Sequence, residues 1–127
     1  MNLKLLQQEL YKILSIDNNL YLDYLPIEDE NGNELDYLNS TYITYSLKNI
    51  EDLGYKDSII LEIEVVSDLS NKIDVQTKAF DIDKLLSNAW IENSSSKIIR
   101  SNVYFMSFDD LENKKSLVTL SYKILKY

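Results

Sequence analysis

The chain contains no histidine and no cysteine. The first absence removes the commonest general base, the usual partner of a nucleophilic serine and the preferred zinc ligand. The second excludes disulfides, thiolate nucleophiles and cysteine-held metals, and it agrees with a reducing compartment. Glycine occurs twice, at Gly32 and Gly54, and proline once, at Pro26. No GxGxxG or Walker-type pattern is present, and two isolated glycines cannot build a loop that cradles phosphate. No apolar run approaches the length of a membrane span. The opening MNLKLLQQELYK turns polar too early for a secretory signal, so synthesis in the cytoplasm is expected. Basic residues are outnumbered 13 to 21, and the net charge of −8 disfavours adhesion to nucleic acid or anionic lipid.

What is present is a chain of 127 residues, 45% of them hydrophobic. That is one domain, spanning 1–127, able to bury roughly two-thirds of the surface of its unfolded form. The clearest pattern runs from Ser58 to Trp90. In SIILEIEVVS, Ile59, Leu61, Ile63 and Val65 alternate with Glu62 and Glu64, the signature of a strand with one buried face. In NKIDVQTKAFDIDKLLSNAW, Val75, Ala79, Ile82, Leu86 and Ala89 recur at helical spacing, so one stripe can lie on that face. Asp68 or Ser70 is placed to cap this helix.

Before this pair, Leu3, Leu6, Leu10, Ile13 and Leu14 predict a first helix, capped by Asn2 and ending near Ser15. Leu20–Leu25 reads as a short strand stopped by Pro26. An exposed loop is expected from Ile27 to Ser40, rich in carboxylates around the turn signal Asn31-Gly32-Asn33. Thr41–Leu47 is a tyrosine-rich strand with Ile43, Tyr45 and Leu47 on one row, and Asn49–Asp57 connects it to the next. After a polar linker at Glu92–Ser96, Ile98–Phe108 and Ser116–Leu125 form a hairpin about a turn at Asp109–Lys115. In the last strand Val118, Leu120, Tyr122 and Ile124 face inward. The expected fold is α+β, a mostly antiparallel sheet of about four to five strands with two helices packed on one face.

Chemistry-bearing clusters are few. Placing Gly32 at the sixth position of a calcium-binding EF-hand loop puts Ile27 at the first and Leu38 at the twelfth, and neither can ligate. Glu28, Asp29, Glu30, Glu34 and Asp36 therefore read as a solvated or partner-contacting loop. Glu62 and Glu64 read as the outward row of a sheet, with Lys123 able to pair across it. That outward row also carries Tyr42, Ile60, Val66, Tyr104, Met106 and Phe108, which is too apolar for a face left in water. With two helices available to cover one side, a neighbouring subunit is expected on these residues together with Glu62 and Glu64. Trp90 reads as a core plug at the end of the second helix. No catalytic group, metal or cofactor is implied, so the chain is not expected to be an enzyme.

The succession LQQELYKILS, LYLDYLP, a variable loop, TYITYSL, SIILEIEVVSD, an apolar helix and the closing hairpin YFMSFDDLENKKSLVTLSYKIL resembles the tail-completion (tail-terminator) proteins of long-tailed bacteriophages. The likeness spans nearly the full length. Where that family often has a proline before the tyrosine-rich strand, this chain has Ser40-Thr41. The resemblance implies a structural virion protein of the tail, assembled in the host bacterial cytoplasm, that forms a ring, commonly a hexamer. Its partners would be the tail tube protein and the head connector protein, with DNA only as passing cargo. The loop 27–40, ordering on docking, and the turn at Asp109–Lys114 are the expected partner contacts. An acidic binding protein, such as a bacterial immunity protein that plugs a toxin's basic site, would share the charge, the size and the lack of catalytic groups.

Overall fold

The computed structural model describes residues 3–15, 19–52, 54, 56–91 and 95–126. Asn2, Tyr55 and the first part of the 92–96 linker lie outside them. The fold is α+β, with two helices and a mixed sheet. In chain order the elements are α1 (Leu3–Leu14), β1 (Asn19–Leu22), β2 (Tyr42–Asp52), β3 (Asp57–Asp68), a 3-10 turn (Leu69–Asn71), α2 (Lys72–Leu86), β4 (Trp90–Ile91), β5 (Ser96–Asp110) and β6 (Lys115–Lys126). The sheet has six strands in the order β1-β2-β3-β6-β5-β4. This is wider than the expected four to five, because the two-residue β4 adds an edge.

The pairing of β1 with β2 is parallel, and every other pairing is antiparallel. A parallel neighbour cannot be reached by a tight turn and needs a crossover of a dozen or more residues. The segment between Leu22 and Tyr42 is that crossover, which gives the long acidic loop a topological reason to exist. The strand expected at Leu20–Leu25 stops at Leu22, with Asp23 at φ 67.

The inward rows are buried as their periodicity predicts. Leu6, Leu10 and Leu14 of α1 and Val75, Ala79, Ile82 and Leu86 of α2 share one core with Ile43, Tyr45, Ile59, Leu61, Ile63, Val65, Ile98, Val118, Leu120, Tyr122 and Ile124. Both helices therefore cover the same face of the sheet. Trp90 departs from expectation. It lies on the edge strand β4 and is 54% exposed, because α2 ends at Leu86 and the stripe it would have continued is broken by Asn88 at φ 62.

Aspartates close most of the turns. Asp29 Oδ1 accepts the backbone N–H groups of Asn31 and Asn33, both at 2.9 Å, around Gly32 at φ 80. Asp36 and Asp110 each open a D-x-x-N turn, holding the Asn39 and Asn113 amides at 2.8 Å. Asp68 takes the Ser70 backbone N–H at 3.0 Å and caps the 3-10 turn that leads into α2. Such side-chain mimicry of a backbone turn is why aspartate is favoured there.

The β5 strand is irregular in the middle. Arg100 is level with Tyr122 and Phe105 with Leu120, so five steps on β5 span two on β6. Insertions of this kind bend and twist the strand. Beyond the irregularity the ladder is regular from Phe105 to Asp110.

Candidate functional site

The face of the sheet turned away from the helices is divided into three zones. At one end the chain covers itself. Tyr42 and Val66 are only 7% and 5% exposed, because the 23–41 crossover folds back over them. The Tyr37 ring stands edge-on to Tyr42 at 5.2 Å, and Tyr21 approaches Tyr42 from the other side at 6.3 Å. The Lys115 ammonium sits 4.0 Å above the Tyr37 ring, a cation–π arrangement. The Asp36 N–H donates to Tyr42 Oη at 2.9 Å. The carbonyl of Tyr37 accepts from the Asp68 N–H at 2.9 Å and from Ser67 Oγ at 2.8 Å, while Asn71 Nδ2 reaches the Leu38 carbonyl at 2.7 Å.

Two expectations change here. Tyr42 and Val66 offer little further surface to a neighbour, and the loop is laced to β3 without any partner. Within it Asp29 and Asp36 are engaged in holding turns, while Glu28, Glu30 and Glu34 remain exposed. No group of three or more carboxylates among the described residues stands close enough to share a metal ion.

The middle zone is polar. A cleft of about 220 Å³ is lined by Asp23, Thr44, Ser46, Lys48, Glu62 and Glu64. Lys48 Nζ lies 3.4 Å from Glu62, which replaces the expected pairing with Lys123. Both lysines are level with Ile60, Lys48 on β2 and Lys123 on β6, and so stand diagonal to Glu62; it is the β2 lysine that reaches the carboxylate. Burial, and then the neighbouring Glu62 charge, push the Glu64 carboxyl above its ordinary range, with Lys48 pulling the other way. Ile60 is half-buried in the row beside it.

The third zone is open and apolar. Met106 and Phe108 are 60% and 64% exposed on β5, and Val103 and Leu111 are exposed nearby. Tyr104, expected on this outward row, departs from it. Its half-buried ring lies 4.2 Å from the Arg100 guanidinium, which is held by Asp83 on the helix-covered side, because the irregular part of β5 breaks the alternation there. The backbone edge is open as well. The outer side of β5 pairs with β4 only at Ser96 and Lys97, followed by one hydrogen bond from the Ile98 N–H to the Ala89 carbonyl at 2.8 Å. From Ile99 to Asp110 no backbone hydrogen bond among the described residues reaches that edge.

One constellation lies on the opposite, helix-covered side. Asp83 of α2 is 4% exposed. It accepts hydrogen bonds from Tyr122 Oη at 2.8 Å and Arg100 Nε at 3.2 Å, and its other oxygen is held by Arg100 Nη2. Burial works against its charge, yet the hydrogen bonds from Arg100 and Tyr122 and the guanidinium's charge hold the carboxyl below the usual range. Burial, followed by the adjacent carboxylate, pushes the Tyr122 hydroxyl far above its ordinary value. The group clamps α2 to β5 and β6. Two signals for it were present in the sequence. Asp83 is four residues after Ala79 on the apolar stripe, and an inward tyrosine needs a partner for its hydroxyl.

A groove of about 580 Å³ runs along α1 and is lined by Lys4, Gln7, Gln8, Tyr11, Lys12 and Tyr45. No helix among the described residues is long and apolar enough to cross a membrane. No protein-family model matches the chain, and no curated protein is significantly similar to it.

Proposed function

We propose that this chain is a structural subunit that assembles with copies of itself into a closed ring. The ring would work as a tail terminator, capping a phage tail tube and joining it to the head connector. The observation that carries the reading is the open β5 side of the sheet, where Met106, Phe108 and an unpaired strand edge stand together in water. Long, apolar, uncovered edges are normally blunted in proteins that work alone. A net charge of −8 supports the reading too, since a channel crossed by DNA must not bind it.

The test is the mass of the purified chain by light scattering across a concentration series. A discrete multiple of the 14.9 kDa subunit is expected, dispersed to a folded monomer by Met106→Asp. A wild-type monomer at the highest concentration, with tight one-to-one binding to a basic partner protein, would favour the toxin-neutralising reading instead.

A further inference from the structure

Resting on that reading, we infer that the subunits join edge to edge: the outer edge of β5 at Phe105–Phe108 receives β1, Asn19–Leu22, from a second copy of the chain. The six-stranded sheet ends in β1 on one side, and on the other β5 lies open beyond its short pairing with β4. Following the register across the sheet, Asn19 is level with Tyr42, Val66, Leu117 and Phe108. Leu22 is likewise level with Tyr45, Ile63, Leu120 and Phe105. The four residues of β1 therefore stand opposite the regular part of the β5 edge, just short of its irregular segment.

Direction agrees with this match. One parallel and three antiparallel pairings separate β1 from β5, so the two strands run antiparallel, as a neighbour rotated about an axis along the strands would present them. Side chains at equal levels also suit each other. Tyr21 shares the level and the outward face of Met106. Leu22 shares the level and the inward face of Phe105, whose ring stacks on exposed Phe80 at 4.9 Å. Joining β1 to β5 is a head-to-tail contact, which leaves neither edge free when its rotation closes a ring. A two-fold pairing of β5 with β5 would leave every β1 edge open.

The chain has no cysteine of its own, so introduced thiols report without background. Tyr21→Cys and Met106→Cys would be purified separately, checked for native circular dichroism, and oxidised alone and mixed. Directly opposed strand positions can bring the two sulfurs to bonding distance. The expected result is a covalent dimer only in the mixture, and for the double variant a ladder of covalent multimers. If either variant fails to fold, the exposed pair Asn19→Cys and Phe108→Cys, one level along, replaces it. A disulfide dimer from Met106→Cys alone would show a two-fold β5 contact and overturn the assignment. Ring-sized particles with no mixed cross-link at either level would overturn the edge contact and leave the ring reading standing. A wild-type chain that is monomeric at every concentration would overturn both.

Discussion

The Asp83–Tyr122–Arg100 clamp yields the sharpest stability prediction. In Asp83→Ala the carboxylate is lost, and the Tyr122 hydroxyl, 0% exposed, is left in the core without its acceptor. The Arg100 side chain is 44% exposed and can turn into water, so the stranded group is the hydroxyl. Breaking a buried ion pair costs about 3–5 kcal/mol when a charge is left uncompensated. With the guanidinium free to rehydrate, the loss here should fall to about 2–3 kcal/mol, mostly the penalty for an unsatisfied buried polar group. Tyr122→Phe alone should cost about 1.5–3 kcal/mol, since it removes a hydrogen bond to a charged acceptor. The double variant strands nothing, and should be more stable than the sum of the single losses implies by about 1–2 kcal/mol. Urea unfolding followed by circular dichroism measures all three. Strict additivity would refute the account of the hydroxyl as the stranded group.

The pH dependence has a definite sign. The folded carboxyl of Asp83 lies below its unfolded value, so its contribution is present above roughly pH 4 and is lost as pH falls through the folded value. The stability gap between wild type and Asp83→Ala should therefore narrow in acid. A gap that widened below that range would mean that Asp83 is held neutral in the native state.

Three further outcomes follow from the geometry. Gly32→Ala should destabilise by about 1–2 kcal/mol, all of it backbone strain at φ 80, because nothing lies within 4 Å of the added methyl; a neutral result by thermal unfolding would contradict that turn geometry. Tyr42→Phe removes the acceptor of the Asp36 amide, so hydrogen exchange at Asp36 should accelerate while the amides of β3 stay protected. Trp90, the single tryptophan, is more than half exposed, so its emission should be long-wavelength and readily quenched by acrylamide in the native protein; a blue-shifted, shielded emission from a dilute monomer would return it to the core.

Local pattern carried the core. Period-two alternation in β3 and β6 and helical spacing in α1 and α2 identified the apolar core positions of those elements apart from Val66, because burial on one face is a property of each element taken alone. Strand order is not such a property. Nothing in Ile98–Phe108 says that the neighbour on its outer side is only a two-residue strand, so the open edge emerged only with the fold. The same limit hid the Lys48–Glu62 pair: Lys48 lay just past the expected strand end at Leu47, and which strand stood next to Glu62 depended on sheet order. The Asp83 clamp was half legible, as a carboxylate out of place on an apolar stripe. The acidic loop misled for a different reason, since aspartate spacing of two to four residues suits backbone turns as well as it suits partners, and composition does not separate those uses.

The covered and uncovered parts of the outward face bear on where a neighbour could sit. If self-association used the broad centre of that face, a partner would bury Glu62, Glu64 and Lys48 in a low-dielectric interface. Desolvating Glu64, already raised by burial, would cost several kcal/mol per ion without a new countercharge. At the β1 end the crossover loop has already taken the apolar contacts of Tyr42 and Val66. What remains cheap to bury is the margin at Met106 and Phe108, where the added backbone hydrogen bonds of a docked strand come with apolar side chains rather than charges. The polar centre thus works against face-to-face stacking, and the energetics favour lateral joining at the strand edge over a sandwich of two sheets.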